Sequence, residues 1–238
     1  ELAAWIESRR PLPPHVKFIE ERYAAEPYRL VLSLLAADLA EASNDDMTAR
    51  LLGRAPHQAR IQLKDLLEPV ELISRTLPKS LKDNTFNKAR RQLNIFGLQT
   101  MRLDIREESG RFNALVDETL RALNIANDFI GMSDKERLSL LVKLLSAPLP
   151  ALSEHPGVTP PASETFALFQ LIARVRNVYG IELLGPVVIS MCRSAADVLS
   201  VLLLARWTGC EDGMQIVPLF ETIDDLQSAP AVLAEMFS

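Results

Sequence analysis

With 238 residues, 48% of them hydrophobic and 24% charged, the chain has the make-up of a folded protein with one large core or two small ones, not of a disordered segment. Its 26 basic residues are interspersed with 31 acidic ones for a net charge of −5, so no basic face suited to nucleic acid stands out. Apolar runs such as Val198–Ala205 are far shorter than the roughly 20 residues of a membrane-spanning helix, and Cys192 and Cys210 lack metal-ligand spacing and imply no disulfide framework.

No cleavable signal pattern opens the sequence, and cytoplasm is the expected compartment. The chain begins on Glu1 and stops at Ser238 directly after an apolar helical pattern, which reads as a piece of a longer protein. Glu1–Arg10 reads as a short helix broken by Pro11, Pro13 and Pro14. A second helix begins near His15 and ends near Ala25. A third starts at Pro27, where a missing N–H costs little, and carries Leu30, Leu34, Leu35 and Leu39 on one face. Helical patterns continue over Asp45–Gly53 and Gln58–Leu77, with Pro56 as a separator and Pro69 as a kink or fresh start. Asn84–Phe96 completes the helical stretch, with Gly97 as its C-terminal cap.

The texture changes in Phe96–Arg111. Met101, Leu103 and Ile105 alternate with Arg102, Asp104 and Arg106, the period of a short strand. Glu107-Glu108-Ser109-Gly110 then supplies turn and helix-start chemistry, and a helical pattern resumes with Phe112, Leu115, Val116, Thr119 and Leu120. Arg106 is thereby expected at the carboxyl end of a strand beside a helix start, an edge where parallel α/β folds gather ligands and where anions are favoured. Three helices follow, over roughly Arg111–Leu123, Asp134–Ser146 and Glu164–Tyr179, with Ser133-x-x-Glu136 as a capping box. The linker Ala147–Ala162, with five prolines, reads as a surface excursion.

From Gly185 onward, a β-branched run over Val187–Met191, a helix over Ser194–Trp207 and a second apolar run over Gln215–Phe220 form a βαβ pattern. The two strands should be parallel, with a right-handed crossover. The fold class is therefore mostly α with a few parallel strands (α/β). Glu221 follows the last strand, so a cation and a carboxylate fall at one sheet edge, which suits a phosphorylated substrate held by arginine and by carboxylate-bound magnesium. Position alone favours simpler roles: an ion pair of Arg106 with Glu107 or Asp104, and a helix-dipole role for Glu221. His15 and His57 read as surface residues, Cys192 as a buried small hydrophobe, and Trp5 and Trp207 as core or interface anchors.

The run from Phe96 to Ser109 resembles the phosphoenolpyruvate carboxylase family, whose members carry a phenylalanine-glycine segment leading into R-L-D-I-R and an acidic-serine turn. Ordered matches flank it. They are Glu26-Pro27-Tyr28-Arg29, Leu67-Glu68-Pro69-Val70-Glu71-Leu72, Ile189-Ser190-Met191, Asp197-Val198-Leu199, and Pro218-Leu219-Phe220-Glu221-Thr222 with Asp224-Asp225-Leu226. The resemblance implies a helical section over residues 1–96 and the first strands of an incomplete (β/α) barrel over 97–238, both in one continuous domain of a larger protein. Three strands cannot close a barrel, so the open sheet edge is expected to be hidden by dimerisation, swapping or local distortion.

By the same resemblance, phosphoenolpyruvate and bicarbonate give oxaloacetate and phosphate with Mg²⁺ or Mn²⁺, in an enzyme that is a homo-oligomer at full length. Arg106 matches the arginine that binds the substrate phosphate and Glu221 a ligand of the divalent metal. Arg102, Asp104 and Arg111 match nearby positions and are given packing or supporting roles. The family's catalytic histidine lies in a Thr-Ala-His-Pro segment that these residues do not contain, and His155-Pro156 has no matching neighbours. The second metal carboxylate, in a Gly-Tyr-Ser-Asp run, is likewise unmatched. No catalytic residue is assigned in this chain, which alone is expected to be inactive. Two alternatives stand beside this reading: a non-catalytic helical interaction or scaffolding protein of carboxylase-like shape, and a different phosphate-ligand enzyme on a shared scaffold.

Overall fold

The computed structural model describes residues 1–12, 16–43, 47–54, 62–78, 84–98, 101–152 and 158–237. His15, Pro56, His57 and His155-Pro156 lie outside the described residues. The chain divides into two compact units, Glu1–Met101 and Arg102–Ser238.

The first unit is built from α1 (Leu2–Ser8), α2 (Lys17–Arg22), α3 (Pro27–Ser43), α4 (Met47–Leu51), α5 (Leu63–Thr76) and α6 (Asn84–Phe96). Helix α3 organises it, because adjacent rows of its apolar stripe serve two clusters. Val31 and Leu35 pack with Leu2, Leu66 and Ile73, while Leu30 and Leu34 pack with Leu12, Val16 and Ile19. Leu39, expected on the same face, is exposed. Pro69 does not restart α5, which runs on through it from Leu63 to Thr76 with Pro69 buried. Arg9 pairs with Asp38 of α3 and lies over the Trp5 ring, 5.3 Å from its centroid. Trp5 thus has a stacking partner as well as a packing role. Gly97, at φ 60°, closes α6 and donates its N–H to Leu93 O at 2.9 Å.

The second unit sets a parallel three-stranded sheet of order β1-β2-β3 among helices. Its strands are β1 (Leu103–Glu108), β2 (Leu184–Ser190) and β3 (Ile216–Pro218). Ile105 aligns with Val187 and Arg106 with Val188, and those two β2 residues align with Ile216 and Val217. Side chains alternate across a strand, so Ile105, Val187, Ile189 and Ile216 fall on one side and Arg106, Val188 and Val217 on the other. The first set joins the main core.

That core is completed by α7 (Ser109–Ala122), α8 (Asp134–Ser146), α9 (Pro160–Tyr179) and α10 (Ala195–Trp207), with α11 (Ile223–Met236) ending the unit. Phe112 of α7 meets Phe169 of α9 edge-on at 5.9 Å, and both are fully buried. Helix α10 buries Val198, Val201, Leu203, Leu204 and Ala205, which is why it reads as apolar nearly all round. Gly185 and Pro186 break the register between β1 and β2. A Cβ on Gly185 would meet Leu103 O at 2.9 Å, and Pro186 has no N–H to donate, so this pair suits an irregular strand start.

Several boundaries differ from the sequence expectation. Strand β1 continues through Glu107 and Glu108, which pair with Ile189 and Ser190, and α7 begins at Ser109 with no intervening turn. A strand ladder is made by backbone groups, so charged side chains do not end it where a neighbour continues. Helix α9 starts at Pro160, four residues before the expected Glu164, because prolines at its first two positions need no N–H partner. Its N-cap, Thr159, donates N–H and Oγ to the Glu118 carboxylate at 2.7 Å each. Strand β3 is only three residues long, although Leu219 N–H still reaches Ile189 O at 2.9 Å.

Two caps give the unit a pH dependence. The Ser133 hydroxyl and amide hold the Glu136 carboxyl below its ordinary range, and those of Thr222 do the same for Asp225. A carboxyl lowered on folding stabilises above its unfolded pKa, and that stabilisation is lost as pH falls through the folded one. We expect urea stability to decline below about pH 4, and to decline less steeply in a Glu136→Gln/Asp225→Asn variant; parallel profiles for the two proteins would contradict this.

Candidate functional site

The carboxyl edge of the sheet is shaped by the connections that leave β1, β2 and β3. Arg106 stands two residues before the end of β1, exposed, in register with Val188 and through it with Val217. It makes no side-chain hydrogen bond or ion pair among the described residues. The simpler role considered for it, pairing with Glu107 or Asp104, is not what forms. Glu107 pairs instead with Arg111 at 3.3 Å and accepts the Glu108 N–H at 2.9 Å. Asp104 sits against Gly185, whose Cβ would come within 2.6 Å of the carboxylate. Arg111 also reaches Glu164 at 2.9 Å, tying the start of α7 to α9.

Glu221 lies in the segment between β3 and α11 and is exposed. It does not cap the helix. Thr222 does, with Asp225 as its reciprocal partner: Thr222 N–H reaches Asp225 at 3.1 Å and Asp225 N–H reaches the Thr222 hydroxyl at 3.1 Å. Arg193, from the connection after β2, also acts on Asp225 and lowers its pKa further. The carboxylate of Glu221 has no partner among the described residues, and neither do those of Glu108 and Asp224, so Arg106 within β1 and Glu221 beyond β3 are two of several uncommitted charges on this edge.

The β2–α10 connection is the most tightly held part of this edge. Asp197 is buried, and its carboxylate accepts Asn113 Nδ2 at 2.7 Å, Arg193 N–H at 2.8 Å and Ser194 N–H at 3.1 Å, with Arg137 Nη1 at 3.7 Å. One carboxylate thereby joins α7, α8, α10 and the loop after β2. Met191 in that loop has φ 55°, a left-handed conformation unusual for a residue with a side chain. Its carbonyl accepts the Ser109 hydroxyl at 2.8 Å. The next residue, Cys192, is buried, and burial together with Asp197 pushes its thiol up to about 12, so it is an inert hydrophobe. The anchoring by Asp197 was readable from Ser194-x-x-Asp197, a capping-box spacing. Only the Asp197 half is made, since the Ser194 hydroxyl finds no partner. Nothing local in the sequence marks Ser109 or the Met191 conformation.

A divalent cation of the magnesium or calcium type takes six or more oxygen ligands in all. Among the described residues no three His, Cys, Asp or Glu side chains are grouped to hold a metal, and Asp225 is committed to its cap. These residues supply one candidate ligand, Glu221, and do not by themselves fit the ion.

The architecture and its charged carboxyl edge define an α/β protein of the kind that gathers ligands where parallel strands end. The family model for phosphoenolpyruvate carboxylase matches residues 1–238. The chain is 32% identical to the phosphoenolpyruvate carboxylase of Prochlorococcus marinus subsp. pastoris MED4, over 91% of its own length and 24% of that protein's. It is 33% identical to that of Shewanella loihica PV-4, over 90% of its length and 24% of the relative's. The chain belongs to the phosphoenolpyruvate carboxylase family, and it spans about a quarter of the length of the curated relatives it matches. Among the described residues, no helix is long and apolar enough to cross a membrane.

The Asp197 anchor carries a measurable cost. Replacing it by Ala leaves Asn113 Nδ2 and two backbone N–H groups unpaired and removes one of the two carboxylates beside Arg137, which keeps Asp134, and we expect about 3–5 kcal/mol of lost stability in chemical denaturation. A loss under about 1 kcal/mol, the scale of an exposed pair, would show that the network is not an anchor.

Proposed function

We propose that this chain forms part of a cytoplasmic, homo-oligomeric phosphoenolpyruvate carboxylase that converts phosphoenolpyruvate and bicarbonate to oxaloacetate and phosphate. The observation that carries the proposal is the pairing of an exposed Arg106 in β1, without a partner among the described residues, with family membership over the whole chain. In this reading Arg106 binds the substrate phosphate. A guanidinium offers two parallel N–H donors to phosphate oxygens and is charged at every working pH. It neutralises charge as the phosphoryl group passes to bicarbonate, before the enolate left behind is carboxylated.

Glu221 is proposed as one carboxylate ligand of Mg²⁺ or Mn²⁺, with the rest of the coordination shell outside these residues. Its exposure and its freedom from the α11 cap support that role. The sheet is proposed as the first three strands of an (β/α) barrel within one continuous domain, consistent with parallel β1, β2 and β3 and with helices on the Ile105 side. Since no catalytic residue is assigned here, the 238-residue chain alone is expected to form no oxaloacetate.

The test is oxaloacetate formation by a full-length carboxylase carrying this segment, coupled to NADH oxidation by malate dehydrogenase. Arg106→Ala is expected to lower kcat/KM for phosphoenolpyruvate by about 10²–10³-fold, with partial recovery in Arg106→Lys. Activity near the parent level in Arg106→Ala would overturn the assignment. A full-length protein that forms no oxaloacetate and binds no phosphoenolpyruvate would favour the scaffolding alternative.

A further inference from the structure

A cavity of about 260 Å³ opens at the amino edge of the sheet, the end opposite Arg106's neighbours Glu107 and Glu108. It is lined where the strands begin: Arg102 immediately precedes β1, Gly185 lies at the head of β2, and Gln215 immediately precedes β3. Its apolar wall includes Ile105, Ile172, Val187 and Met214, so it lies on the helix-packed side of the sheet.

Its charged lining is unbalanced, with two guanidinium groups, Arg102 and Arg176, against the single carboxylate of Glu182. Arg102 is exposed and has no side-chain partner among the described residues. Arg176 donates Nη2 to the Asp212 carbonyl, but its Nη1 is buried without a hydrogen-bond partner. A buried donor left unpaired is uncommon in a folded protein, and a bound acceptor is one of its explanations. The walls leave little slack: Gly213, at φ 68°, lies so close that a Cβ there would meet Ile181 Cδ1 at 2.9 Å.

We propose that this cavity binds a small amphipathic monocarboxylate, its carboxylate held by Arg102 and Arg176 and its aliphatic chain lying over Ile105, Ile172 and Met214. A monoanion balances the one net positive charge of the lining, whereas a dianion would carry a second, uncompensated charge out of water. The volume, just under the roughly 300–1,000 Å³ of ordinary small-molecule sites, restricts the chain to a few carbons. On the barrel reading proposed above, the amino face is ordinarily a stabilising face and not a catalytic one, so this ligand is distinct from the substrate placed at the carboxyl edge. The proposal does not depend on the role given to Arg106.

The experiment is a titration of the isotopically labelled 238-residue chain with sodium hexanoate, followed by methyl NMR. We expect saturable shifts at the Ile105, Ile172, Ile181 and Met214 methyls with Kd near or below about 1 mM. Hexanamide, of the same shape without the charge, should bind at least tenfold more weakly. Arg102→Gln should weaken hexanoate at least tenfold; this exposed position is chosen because Arg176 also holds the Asp212 turn. Absence of saturable shifts at these methyls, equal binding of hexanamide, or parent-like hexanoate binding by Arg102→Gln would each overturn the proposal.

Discussion

The carboxylate of Asp197 is the contact on which the carboxyl edge of the sheet depends. It is a charge taken out of water, and such a group persists only when it is fully engaged. Here its two oxygens receive Asn113 of α7, two backbone N–H groups of the loop after β2 and the guanidinium of Arg137 in α8. Because those donors come from separate segments, the carboxylate fixes their spacing. The loop after β2 is then held from its other side by the Ser109 hydroxyl on the Met191 carbonyl, at the first residue of α7. The start of α7 and the start of α10 are coupled, and β1 and β2 leave the sheet along defined paths.

That framework explains how charged groups come to be uncommitted beside it. Glu107 is drawn toward Arg111, Asp225 is occupied by Thr222, and Asp197 is saturated. Among the charges left over are Arg106 on one edge strand and Glu221 beyond the other, with β2 between them. Strand spacing of about 4.8 Å puts the Arg106 and Val217 Cα positions roughly 10 Å apart. Uncommitted charges cost nothing in solvent, and they are where binding energy remains to be gained.

Much of this was legible in the sequence, and the reasons it was are local. Alternation in Met101–Arg106, the Ser133-x-x-Glu136 spacing, Pro27 at a helix start and Gly97 at a helix end each report short-range backbone physics, and each element formed. The failures share a cause too. The length of β1 was set by β2 continuing alongside it, the exposure of Leu39 by how far along α3 its neighbours pack, and the continuity of α5 through Pro69 by Leu66 and Ile73, which flank it and share one cluster. None of those is a property of the residues themselves. The candidate site divides the same way: Arg106 and Glu221 could be placed at strand ends from the pattern, whereas their freedom from ion pairs and the hold of Ser109 on Met191 exist only in three dimensions.

The central claim is that Arg106 and Glu221 serve one site. The most direct measurement is Mn²⁺ binding by electron paramagnetic resonance to a full-length carboxylase carrying this segment, with and without phosphoenolpyruvate, in the parent and in Glu221→Gln and Arg106→Ala variants. The account predicts that Glu221→Gln weakens Mn²⁺ binding at least tenfold, about 1.4 kcal/mol or more, and that Arg106→Ala leaves Mn²⁺ binding intact while abolishing its response to phosphoenolpyruvate. Parent-like Mn²⁺ affinity in Glu221→Gln, or an undiminished phosphoenolpyruvate response in Arg106→Ala, would contradict it.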